Sequence, residues 1–186
     1  MAIFGLFDRL RSTDTAKLRR IAAVVVLAGG GAFAALAIFD VRINATMSEP
    51  IGLYVRTADP DATLVEFCPP EPFALLSRIR GYRRSGSCPD GAAPLLKTVV
   101  AKPGDAVELS AAGIAVNGIL LPNTAPRRLD SAGRKLTPWA FGKYVVQPGT
   151  VWVASTYHPR SFDSRYFGPV QATAIQNHVR PLIVLR

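Results

Sequence analysis

Leu95-Leu96-Lys97-Thr98-Val99-Val100-Ala101-Lys102-Pro103-Gly104-Asp105 is an apolar, β-branched run with one lysine inside it and a turn at its end. Val and Thr favour a pleated backbone, and Pro-Gly-Asp interrupts it, so Leu96 to Ala101 reads as a strand. Alternate residues of a strand share a face. Lys97 therefore stands beside Leu95, Val99 and Ala101, with Leu96, Thr98 and Val100 on the other side. Both faces are largely apolar, and burying an ammonium is costly. Taken alone, the run suits a lysine whose stem packs while its amine reaches water. Fully buried, the same lysine has a depressed pKa, and its neutral amine can act as a general base.

The punctuated strand pattern continues to both sides of this run. Gly52 to Arg56, Thr63 to Phe67, Ala106 to Leu109, Ile114 to Val116, Ile119 to Leu121, Tyr144 to Val146, Val151 to Ala154 and Val179 to Leu185 are short apolar stretches between Gly/Pro turns. Asn117-Gly118 between two of them is a type I′ hairpin signal. Phe73, Leu76 and Ile79 recur every third residue and predict one short helix. Two segments look like excursions from the core: the loop between Cys68 and Cys88, and Pro122 to Phe141, rich in Pro and Arg. The expected architecture is an all-β, partly barrel-like domain.

Ahead of that domain lies a different kind of sequence. Residues 21–39 carry no charge and have the length of one bilayer crossing, about 20 residues. Arg9, Arg11, Lys17, Arg19 and Arg20 precede them, and the positive-inside rule keeps that end cytoplasmic. The predicted organisation is a basic segment over 1–20, a transmembrane anchor over 21–39 and an exported domain over 40–186. Ala35-Leu36-Ala37 also has the form of a cleavage site, so a removed signal is the rival reading. The three glycines Gly29 to Gly31 weaken the helix. The net charge is +9, and five basic against three acidic residues in the first forty leave +7 beyond them. The basic residues are scattered and no aromatic ladder accompanies them, so attraction to anionic lipid or solubility is the preferred meaning and no nucleic-acid partner is expected.

Two further segments complete a pattern with the lysine run. Asn44-Ala45-Thr46-Met47-Ser48-Glu49-Pro50-Ile51-Gly52 follows the apolar stretch, and Ser161-Phe162-Asp163-Ser164-Arg165-Tyr166-Phe167-Gly168-Pro169-Val170 lies near the C-terminus. In this order the three resemble the boxes of the type I signal peptidases, which use a Ser–Lys dyad. The Asn-x-Thr-x-Ser-x-Pro-x-Gly form resembles the conjugative-transfer peptidases of the TraF type. Pro50 follows Ser48 by two residues where ordinary signal peptidases have three, which favours that branch. The resemblance covers nearly everything from Asn44 to Val170 and implies the same β fold.

The resemblance implies that Ser48 is the nucleophile and Lys97 its base, since a serine hydroxyl needs a base to take its proton. A Ser48/His158/Asp163 triad is the alternative, but His158-Pro159 sits among turn formers and Lys97 is better placed. By offset, Ser161 matches the hydroxyl that orients the lysine and Thr46 the one beside the oxyanion. Asp163 and Arg165 match an acidic–basic pair bracing the site wall, with a scaffold role preferred for Asp163. Pro103-Gly104-Asp105 reads as a structural turn. The sequon Asn44-Ala45-Thr46 has no meaning in a bacterial context.

In the oxidising compartment beyond a bacterial membrane, Cys68 and Cys88 are expected to be bridged, although two unrelated buried thiols are the plainer alternative. Two cysteines and two distant histidines do not make a metal ligand set, and no cofactor is implied. The expectation is a serine endopeptidase of the bacterial inner membrane with its catalytic domain in the periplasm, serving a type IV secretion or conjugation apparatus. Its implied partner is a membrane-bound pilin precursor, cut after small residues and in some relatives cyclised. A general signal peptidase and a non-catalytic assembly factor are the alternatives. The first is opposed by the box spacing and the cysteine loop, the second by the intact Ser48 and Lys97.

Overall fold

The computed structural model describes Lys17, residues 19–27, Gly30 and residues 40–185. The chain divides into two units, residues 1–41 and 42–186. In the first, residues 19–27 are helical, and residues 28, 29 and 31–39 of the expected anchor lie outside the described residues. Among the described residues no helix is long and apolar enough to cross a membrane.

The second unit is built from eleven strands: β1 (Val41–Asn44), β2 (Gly52–Thr57), β3 (Leu64–Phe67), β4 (Leu95–Ala101), β5 (Ala106–Ser110), β6 (Gly113–Val116), β7 (Ile119–Leu120), β8 (Gly142–Val145), β9 (Thr150–Ala154), β10 (Val170–Gln171) and β11 (Ile175–Val184). Two helices, α1 (Phe73–Ile79) and α2 (Ser164–Phe167), lie in the connections. A seven-stranded sheet has the order β1-β2-β11-β3-β4-β9-β10, and a four-stranded sheet the order β7-β6-β5-β8. The all-β expectation for this unit therefore holds, with β4 and β9 adjacent in the larger sheet.

Strand β9 shows why the two sheets share a core. All of Val151 to Ala154 are buried, because successive side chains leave opposite faces and both faces are covered. Val151 and Val153 join a cluster with Val65, Phe67, Leu95, Val99 and Phe167. Trp152 and Ala154 join Val107, Leu109 and Ile114 of the smaller sheet, and Val146 just beyond β8. Strand β4 contributes to both clusters through a bulge, since Val99 pairs with Val153 but Ala101 with Trp152. The extra residue shifts the alternation, and Ala101 lands in the second cluster although Val99 belongs to the first.

Every strand expected from the sequence forms, within a residue or two at most ends. The exception is β11, which starts at Ile175 rather than Val179, behind the polar stretch Gln176-Asn177-His178 and a bulge between Ile175 and Asn177. Strands β1 and β10 were not legible, being an edge strand of four residues and a strand of two. Asn117 and Gly118 both have positive φ, 49° and 85°, and join β6 to β7 as the type I′ signal requires.

Cys68 and Cys88 form the expected disulfide, closing a separation of 20 residues around α1. Loop closure of that size stabilises by about 3 kcal/mol. Helix α1 occupies the expected residues but turns a different face inward. Ala74 and Ser77 are buried while Ile79 is 73% exposed. The reason is Arg83, whose buried guanidinium donates to Ser77 Oγ at 2.8 Å and Ala74 O at 2.7 Å and pairs with Asp90. A charge brought inside needs these partners, and they override the apolar spacing.

Candidate active site

Ser48 lies in the connection from β1 to β2, a loop folded around one amide. Asn44, buried at the end of β1, donates through Nδ2 to the carbonyls of Thr46, Glu49 and Pro50 at 2.9 to 3.0 Å. Its Oδ1 accepts from Thr46 N at 3.0 Å and from Thr46 Oγ1 at 2.7 Å. Tyr54 on β2 donates its hydroxyl to Pro50 O. These bonds satisfy backbone groups that a loop cannot satisfy by itself, so the Ser48 position is set before any substrate arrives.

Strand β4 delivers Lys97 to the same place. Leu95, Lys97, Val99 and Ala101 are its buried residues, and Lys97 is 2% exposed. Lys97 Nζ lies 2.9 Å from Ser48 Oγ and donates to Leu96 O at 2.8 Å. The gap that admits the loop opens where β9 ends. Ala154 is the last β9 residue paired with β4, opposite Thr98. Ser155, the next residue, instead turns its hydroxyl to Ser48 O.

Burial lowers Lys97 from its ordinary 10.5 to about 8, against Asp163 and Glu49, which favour its charge, and with Arg165, which adds to the depression. A base of that strength is partly neutral at working pH. The opposite displacement affects Glu49, 7% exposed, which burial raises from 4.5 to about 7 although Lys97 and Thr98 favour its anion.

The structure gathers the other expected residues here and gives them different surroundings. Thr46 Oγ1 is 3.3 Å from Ser48 Oγ. Ser161 lines the same cleft, but its buried Oγ has no hydrogen-bond partner and makes no bond to Lys97. Asp163 and Arg165 are fully buried and joined by two bonds, Nε to Oδ1 at 2.8 Å and a terminal guanidinium nitrogen to Oδ2 at 2.7 Å. Asp163 also caps α2 by accepting from Arg165 N and accepts from Ser155 N at 3.1 Å. Arg165 spends its remaining donors on Asn123 O and Pro159 O. The pair thus anchors Ser155, and Ser155 anchors the Ser48 carbonyl. His158 accepts from Arg160 N through Nδ1 and has no bond to Ser48 or Asp163, so the Ser48/His158/Asp163 triad is not assembled.

Three residues of this site escaped sequence reading. Asn44 was visible only as a box residue, and Glu49 as an acid beside a serine, with no sign of burial. Ser155 lies outside all three segments, and its link to Ser48 spans 107 positions. Among the described residues no cluster of His, Cys, Asp and Glu could hold a metal ion. The cleft above the site measures about 820 Å³ and is walled partly by Met47, Tyr82, Arg127, Leu129 and Phe162. Both sequence excursions therefore shape it.

A family model described as signal peptidase, peptidase S26, matches residues 20–183. The plasmid transfer protein TraF of Escherichia coli is 39% identical over 176 residues, covering 89% of this chain and 97% of its own. The conjugal transfer protein TraF of Agrobacterium fabrum is 40% identical over 146 residues, 76% of this chain and 81% of its own. A crystal structure of a signal peptidase I from Enterococcus faecalis is 20% identical, spans 70% of this chain and 99% of that one, and superposes with a TM-score of 0.36. The family match runs unbroken from ahead of the Ser48 loop to beyond the Asp163 turn, and the chain belongs to the S26 signal peptidases, among the TraF proteins of plasmid and conjugal transfer.

Proposed function

We propose that the protein is a membrane-anchored serine endopeptidase that processes a pilin precursor for conjugative transfer, with Ser48 as nucleophile and Lys97 as general base. The observation that carries the reading is the 2.9 Å approach of a buried lysine amine to the hydroxyl of a serine held in a pre-organised loop. In the reactive state Lys97 is neutral and accepts the Ser48 proton as Oγ attacks the scissile carbonyl. The tetrahedral oxyanion collapses, the C–N bond breaks, and Lys97 returns the proton to the leaving amine. The Ser48 ester then meets water, giving a carboxylic acid, or an amine of the substrate, giving a cyclic amide. Either route regenerates the Ser48 hydroxyl. Thr46 is placed to donate to the oxyanion, an interaction worth about 3 kcal/mol in comparable sites. For that its hydroxyl turns from Asn44 Oδ1 as charge develops.

An anchor over 21–39 would hold the domain at the periplasmic face of the inner membrane, where the substrate's own membrane segment presents its cleavage site. Full-length protein in detergent, incubated with a conjugative pilin precursor, should yield a truncated product. Mass spectrometry should find an acyl ester on Ser48 and a product either linear or lighter by one water. Unchanged precursor, together with no labelling of Ser48 by a fluorophosphonate, would leave only an assembly role.

A further inference from the structure

Glu49 is a buried titratable group that the mechanism does not use. It follows Ser48 directly, and its side chain is turned inward at 7% exposure rather than to water. Its Oε1 accepts from Thr98 Oγ1 at 3.4 Å, and Thr98 is the neighbour of Lys97 on β4. Its own carbonyl is held by Asn44 Nδ2 at 2.9 Å, which fixes the backbone from which the carboxyl projects. The charged and titratable groups facing it are Lys97 from β4, Asp163 from the turn before α2 and Tyr54 from β2. Arg165 acts on the lysine in turn. Among the described residues, Glu49 and Lys97 are a buried acid and a buried base with no ion pair between them.

We propose that Glu49 is a positioning residue that sets the protonation of the Lys97 base, by carrying one proton that the two groups share across the Ser48 loop. This rests on Lys97 being the base. In a water-poor site burial penalises both charged forms, which brings the neutral pair, carboxylic acid and free amine, within reach of carboxylate and ammonium. A protonated Glu49 therefore leaves the amine free to take the Ser48 proton. An ionised Glu49 holds Lys97 as ammonium and idles it. The two titrations oppose each other, so the gain of activity with pH is spread over more than a single-proton step. The displacements of Glu49 to about 7 and Lys97 to about 8 put both groups in one pH window.

The test is the second-order rate of Ser48 acylation by a fluorophosphonate, followed from pH 5 to pH 10 on full-length protein in detergent. Glu49→Gln keeps shape and hydrogen bonding but can never carry the negative charge. It should move the acid limb down by about half a pH unit or more, about threefold faster acylation on that limb, and steepen it to a single-proton slope. The Lys97 Cε resonance, assigned by its loss in Lys97→Met, should titrate lower by the same amount. Thr98→Val removes the hydroxyl donor that favours the anion and should move the limb the same way by less. It decides alone if Glu49→Gln does not fold. A limb unchanged or moved upward in the folded variants overturns the role of Glu49. A wild-type protein with no acid limb overturns the Lys97 reading beneath it instead.

Discussion

Asp163 with Arg165 and Glu49 with Lys97 are each a buried acid beside a buried base, in one site, and they behave in opposite ways. Asp163 and Arg165 meet in a two-point ion pair, and the remaining donors and acceptors find backbone partners. Arg165 is held above its ordinary value by its partner although burial alone would lower it. Lys97 finds a hydroxyl and a carbonyl, both uncharged, and Glu49 a hydroxyl. Burial then dominates and drives both toward their neutral forms. The lesson is one of placement: a protein buys a reactive amine by burying it without its counter-ion, and a rigid wall by burying both ions together.

The largest effect expected from breaking this contrast is on the wall. Asp163→Asn or Arg165→Met leaves an unmatched charge in a dry interior, which should cost about 3–5 kcal/mol of stability. In Asp163→Asn the carboxylate that accepts from Ser155 N is lost as well, so the melting temperature and the acylation rate of Ser48 should fall together. Full stability with lost acylation would move Asp163 from scaffold to chemistry.

A change at the lysine should have the opposite sign. Its folded pKa of about 8 lies below the ordinary 10.5, so folding expels a proton that the unfolded chain keeps. The penalty is complete below pH 8, fades between pH 8 and 10.5, and is absent above. Lys97→Met, which keeps the length and removes the charge, should therefore stabilise the domain near pH 7 by up to about 3 kcal/mol. Acylation of Ser48 should be abolished. Melting curves of both forms across pH check the sign, and a less stable Met variant at neutral pH would mean that Lys97 is a paired structural charge.

The smallest effect belongs to the residue that sequence chemistry would first suspect. His158 bonds a neighbouring backbone amide and neither reacting group. His158→Ala should change stability by less than about 0.5 kcal/mol and acylation by less than twofold. Inactivation with an unchanged melting curve would restore the triad.

Much of this was legible before any coordinates. Alternation and turn residues located β2, β3 and β4 through β9, because strand periodicity and Gly/Pro chemistry act over a few neighbouring residues. The Phe73 to Ile79 helix was legible for the same reason, but its inward face was not, since Arg83 and Asp90 decide it from further along the chain. Ser48, Lys97 and Asp163 could be named from their segments, and the apolar neighbours of Lys97 already implied a depressed base. What no local pattern contains is the gap left beside Lys97 where β9 stops pairing with β4, and the loop that fills it. The burial of Glu49, the anchoring of Ser155 by Asp163 and the unpartnered hydroxyl of Ser161 all depend on that packing. The sequence by itself determined which groups could react, through residue type and short-range spacing. Only the tertiary structure decided which of them are dry, paired or free, because desolvation and hydrogen-bond partners are set by neighbours that the chain supplies from as far as 49 and 107 positions away.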